Sequence, residues 1–71
     1  MVAWDPDGAA QQTEQAFRYV SRSLPPGTDY SPLDGHTGAA YEAERAGDWS
    51  AYVEALRELC RAARREARRA A

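Results

Sequence analysis

From Trp49 onward the apolar residues fall at Trp49, Tyr52, Val53, Leu56, Leu59, Cys60, Ala63, Ala67 and Ala70. Steps of one, three and four place them on one face of a helix, whereas a strand would need alternation. No proline or glycine follows Gly47, so the spacing predicts one helix over about 49–69. At ~1.5 Å per residue it is roughly 30 Å long. The first half of its stripe carries every bulky side chain and the second half only alanine. The first half is therefore the expected core. The second half either packs closely or projects, and the helix is expected to outrun its neighbours.

Upstream, Tyr41-Glu-Ala-Glu-Arg-Ala46 is a run of helix formers that stops at Gly47. Glycine adopts the left-handed conformation without a Cβ penalty, which suits the position just past a helix end. Asp48 follows and is the expected cap of the last helix. The pattern of stop, corner and restart is that of an αα-hairpin. Its first helix is expected over about 33–46, with Leu33, Ala40 and Tyr41 facing the core. Ser31-Pro32-Leu33-Asp34 offers a start in capping-box style, with Asp34 and Thr37 as alternative caps.

The first helix is expected over about 6–23. Asp5 is its candidate cap, Pro6 suits the first position, and Trp4 is placed to fold back on it. Thr13, Phe17, Val20 and Leu24 form the predicted seam, with Ala10 and Ala16 beside them. Gly8 should weaken the first turn by roughly 1 kcal/mol relative to alanine. Leu24-Pro25-Pro26-Gly27 ends the helix, because proline disfavours helix in the residue before it. The predicted fold is thus all-α: one small three-helix domain with a C-terminal hairpin and a long last helix.

The hairpin resembles a single tetratricopeptide unit over about 25 residues. The likeness rests on a Tyr41-bearing helix, Gly47, an aromatic at Trp49 and bulky Leu56. Tyr52 stands where that family has a small residue, and no second copy of the unit occurs. The likeness implies a shared hairpin solution, not membership.

Composition makes the core a concern. Of 71 residues 15 are alanine, isoleucine is absent, and Leu, Val and Phe together number eight. Seven aromatics compensate, so Trp49 and Tyr52 are expected in the core and Tyr30 outside it. A core this small either suffices alone or is completed by a second copy or a partner.

Charge is segregated. Residues 1–60 hold ten acids against four arginines, a net of −6; residues 61–71 hold five arginines against Glu66, a net of +4. Such a dipolar chain can pair head to tail or steer toward a partner of mixed sign. All nine basic residues are arginine, which with the alanine excess suggests a GC-rich coding sequence. Glu54–Arg57, Glu58–Arg61 and Glu66–Arg69 are spaced as helical ion pairs.

The candidate chemistry is mostly negative. His36 is the only histidine and Cys60 the only cysteine, so neither an internal disulfide nor a usual zinc spacing is available. Cys60 is expected to be a small core thiol. Asp5 and Asp7 are better explained as capping than as a cation loop, and Glu42 and Glu44 lie on different sides of their helix. No phosphate or dinucleotide loop occurs. No enzyme activity, cofactor or metal is therefore expected. No apolar run approaches a membrane span, the N-terminus lacks signal-peptide character, and a cytoplasmic location is the default.

The favoured function is a small interaction or adaptor module of the kind carried by phages or mobile elements. It would bind a protein partner, or a second copy, through its last helix and the Pro25–Gly38 loop. The candidate contact residues are Tyr30, His36, Arg57, Arg61, Arg64, Arg65, Arg68 and Arg69. The alternative is nucleic-acid binding by the Arg-rich end. Against it stand the acidic pI of about 5.2, the absence of lysine and the absence of a recognisable reading helix.

Overall fold

The computed structural model describes residues 3–70, and at Ala70 the backbone alone. The N-terminal Met1 and Val2, read above for a signal sequence, and the side chain of Ala70, read as the end of the apolar stripe, lie outside that description. Three α-helices follow in order: α1 (Pro6–Ser23), α2 (Asp34–Ala46) and α3 (Trp49–Ala70). A single 3-10 turn, Ser31–Leu33, leads into α2. The all-α, three-helix expectation holds, with boundaries within a residue or so of those predicted.

The corner between α2 and α3 forms as its residues dictate. Gly47 takes φ +65°. Its N–H donates to the Glu44 carbonyl at 3.1 Å, and the Asp48 N–H reaches back to the Ala43 carbonyl at 2.9 Å. Together these bonds are a Schellman stop, which satisfies carbonyls the helix would otherwise leave open. The Asp48 carboxylate then accepts from the Ala51 N–H at 3.1 Å and starts α3. One glycine and one aspartate thus reverse the chain, and α2 lies antiparallel on α3.

The other caps differ from expectation. Asp5 makes no side-chain capping bond; only its carbonyl accepts, from Ala9 N–H at 2.8 Å. The capping box at Ser31 does not form either. The Asp29 carboxylate instead accepts from the Ser31 N–H at 2.9 Å, and the chain winds a 3-10 turn before α2. That bond, through side chain and backbone of Ser31, holds the Asp29 carboxyl below its ordinary value.

The core is one cluster centred on α3. Tyr52, Leu56 and Leu59 are buried along it, with Leu59 only 2% exposed. α1 contributes Ala9, Ala16 and Val20, and α2 contributes Ala40 and Ala43, with Leu24 and Leu33 between the two helices. Bulky side chains on α3 thus meet small ones on its neighbours, which lets both helices approach closely. The alanine half of the stripe packs rather than projects: Ala62 and Ala63 are buried and Ala67 is half-buried, so only the last turn runs free.

α1 runs in the same direction as α3. At one end Trp4 crosses to α3, with its ring edge-on to Trp49 at 5.6 Å and to Tyr52 at 5.0 Å. Trp4 also lines one surface with Pro6, Ala9 and Thr13 of α1, beside the contacts to α3. Space at Gly8 is tight: a Cβ on it would lie 2.7 Å from the Asp5 carboxylate and 3.1 Å from the edge of the Trp49 ring. The helix gives up propensity where the Asp5 carboxylate and the Trp49 ring both crowd its backbone.

Further along α1, Thr13 Oγ1 donates to the Ala9 carbonyl at 2.7 Å and is hydrogen-bonded to the Tyr52 hydroxyl. The threonine has one proton and spends it on Ala9, so the tyrosine donates to the threonine. The buried Tyr52 hydroxyl is thereby satisfied, and α1 is pinned in register on α3.

Three core-facing assignments are corrected. Phe17 is 44% exposed and Tyr41 62% exposed, although both were read as core-facing. Ala10 is exposed as well, and its place is taken by Ala9. The reason is common to all three. α1 and α2 both pack on α3, but among the described residues no Cα of α1 comes within 8 Å of a Cα of α2. The side of each helix that would face the other faces an opening instead.

Candidate interaction surfaces

The opening between α1 and α2 is a groove with an apolar floor. Tyr52, Leu56 and Leu59 of α3 form its middle, walled by Phe17 on α1 and by Ala40 and Tyr41 on α2. Toward the loop it continues past Val20 and Leu33 to Tyr30, which is 45% exposed. At the opposite end it opens beside Trp4, Ala9 and Ala10. Three of the four large exposed apolar side chains among the described residues, Phe17, Tyr30 and Tyr41, therefore stand along one trough. The charged side chains that line it are acidic, Glu14, Asp34 and Glu44, and of these Glu14 is ion-paired with Arg18 on the same helix.

A second furrow runs along the other side of α1, between α1 and α3, and holds about 460 Å³. Its floor is Ala16, Val53, Leu56 and Cys60. Its rims are Gln12, Gln15 and Tyr19 on α1 and Arg57, Arg61 and Arg64 on α3. No carboxylate lines it. Cys60 is half-buried rather than a core residue, and that burial raises its thiol pKa, an effect the nearby Arg64 opposes.

The residues expected to bind a partner are thus divided between surfaces. Tyr30 belongs to the acidic groove. Arg57, Arg61 and Arg64 belong to the basic furrow. Arg65, Arg68 and Arg69 lie toward the free end of α3, and Arg69 pairs with Glu66 at 3.4 Å. His36 is half-buried in the first turn of α2 and lines neither surface.

Several arginines are already engaged. Arg57 and Arg61 both lie 3.9 Å from Glu54, and Arg61 also bonds Glu58. These pairs are exposed, so each contributes a few tenths of a kcal/mol. No Asp or Glu side chain among the described residues lies within 4.0 Å of Arg64, Arg65 or Arg68.

Sequence reasoning missed Phe17 and Tyr41 as surface residues. Their helical phase was correct for a residue beside the core. The gap between α1 and α2 is a property of three helices at once, and no local pattern carries it.

Among the described residues no three metal-ligating side chains gather in one place, and no helix is long and apolar enough to cross a membrane. No protein-family model, curated protein or solved structure matches the chain.

Proposed function

We propose that this protein is a non-enzymatic interaction module whose groove between α1 and α2 receives an amphipathic helix from a protein partner. The observation that carries the reading is the aromatic trough itself. Two helices pack on a third with no Cα of one within 8 Å of a Cα of the other, and the space between them is lined by Phe17, Tyr41 and Tyr30 over a floor of Tyr52, Leu56 and Leu59. Exposed apolar side chains gathered in one place mark interaction sites, and tyrosine is favoured among the residues that carry binding energy.

A helix seats its apolar face in such a groove through anchors about one turn apart. The acidic rim selects the rest of the partner: basic side chains flanking the apolar stripe would meet Glu14, Asp34 and Glu44. The groove draws on the Pro25–Gly38 segment and on the buried face of α3, not on its Arg-rich end. The last helix supplies the floor and the Pro25–Gly38 segment supplies the end around Tyr30.

The test is photocrosslinking in cells from probes placed at positions 17 and 41, with position 11 on the exposed outer side of α1 as control. The expected result is a discrete adduct from 17 and 41, absent from 11, whose crosslinked peptide is an amphipathic helix with basic flanks. Adducts of equal intensity from all three positions would sink the reading. So would adducts made only of a second copy of this chain. The self-association outcome has its own check: a circular dichroism melt whose midpoint rises with protein concentration shows a fold completed by its own copy.

A further inference from the structure

The furrow on the other side of α1 has a different chemistry, and nothing in the helix-binding reading uses it. Arg57, Arg61 and Arg64 rise along one side of α3 at helical steps of four and three, and Arg68 continues the row. At ~1.5 Å per residue the row spans roughly 16 Å, about three turns. Facing it across an apolar floor are two glutamines and Tyr19, which is 37% exposed. Arginine is suited to bidentate recognition of carboxylates and phosphates.

We propose that this furrow is a second docking surface and that it takes an acidic amphipathic segment of a protein partner. Apolar side chains of the segment would rest on Val53, Leu56 and Cys60 against Tyr19. Its carboxylates would pair with the arginine row and release Arg57 and Arg61 from Glu54 and Glu58.

Charge and shape decide between the two polyanions the row could attract. A nucleic-acid strand presents an unbroken line of phosphates, and here it would run past Glu54 and Glu58 on a body of net charge −6 over residues 1–60. It would also leave the apolar floor unused. A peptide with a few acids beside an apolar stripe uses both parts of the furrow and carries less charge past the acidic body. The two furrows then make the protein a two-sided adaptor, with α1 as the partition between them.

The experiment measures fluorescence anisotropy of a labelled peptide of about 16 residues, long enough for four helical turns. Leucines occupy one helical face and glutamates flank it. The full chain is titrated as wild type, as Arg57→Glu with Arg64→Glu, and as Tyr41→Ser in the other groove. We expect saturable binding that weakens by at least about tenfold in the double arginine variant, or about 1.4 kcal/mol. It should also weaken as salt rises from about 0.05 to about 0.5 M, where charge is screened. Tyr41→Ser should leave it unchanged.

A second readout needs no variant: bound peptide should shield Cys60 of the wild-type protein from alkylation. Four results would overturn the proposal. They are the absence of saturable binding, binding indifferent to the arginines, binding lost with Tyr41→Ser, and tighter binding of oligothymidylate than of the peptide. The first two leave the α1–α2 groove untouched as a helix site, because that reading is tested from positions 17 and 41.

Discussion

The two furrows that flank α1 share a helix and share Leu56 in their floors, yet they are opposite in character. The groove toward α2 is aromatic with an acidic rim. The furrow toward α3 is edged by arginines and glutamines. The first lies between two helices whose Cα atoms stay more than 8 Å apart; the second runs along the margin of two helices that pack directly. Where helices pack, alanines and the Thr13–Tyr52 bond close the interface, and long polar side chains cover its margin. Where they do not, side chains that would have been core become surface. Exposure of an aromatic here records a missing neighbour, not a polar environment.

The strongest way to break the comparison is Leu56→Ala, which removes a buried side chain common to both floors. The expected cost is about 2–5 kcal/mol, a large share of the stability of so small a domain. A chemical denaturation curve measures it. An effect below about 0.5 kcal/mol would mean that α1 is not seated on α3 as described.

Tyr52→Phe is the next test, because it separates packing from register. The ring stays and the hydroxyl that donates to Thr13 is lost, for an expected cost of about 1 kcal/mol. Adding Thr13→Val should cost little more, since the cycle removes the second partner of the same bond. Full additivity of the two costs would show that the hydroxyl does not hold α1 to α3.

Phe17→Ser and Tyr41→Ser sharpen the contrast between surface and core. Each side chain is substantially exposed, so the melting midpoint should move little, within about 0.5 kcal/mol of wild type. A loss of several kcal/mol from Phe17→Ser would place it in the core after all and close the groove.

The smallest expected effect concerns Cys60. Burial raises its thiol pKa in the folded state. Its contribution to stability is therefore complete below the unfolded thiol pKa and is lost as pH rises through the folded one. The corresponding kinetic outcome is alkylation of the folded protein slower than that of the denatured chain at mildly alkaline pH. Equal rates would show that the furrow does not shield the sulfur.

Local order was legible in the residues themselves. Gly47 and Asp48 specify a stop and a restart wherever they occur between helix formers, because the conformations they favour are set by their own bonds. Pro25 and Pro26 end α1 for the same reason, and the three-and-four spacing after Trp49 marks the buried side of α3. Charge segregation could be read without a structure as well. Capping by Asp5 and Ser31 was less secure. At Ser31 other residues compete for the role, and the Asp29 carboxylate takes the Ser31 N–H.

The relation of α1 to α2 was not legible. Phe17 and Tyr41 have the phase of core residues, and only the placement of both helices on α3 shows that neither finds a partner. The same placement divides the expected contact residues, with Tyr30 in one groove and Arg57, Arg61 and Arg64 in the other. It also explains part of Gly8, which is crowded locally by the Asp5 carboxylate and from across the fold by the Trp49 ring. Secondary structure here follows from interactions within a few residues, which a sequence displays directly. The surfaces depend on distances between helices, which arise only when side chains far apart in the chain compete for the same space.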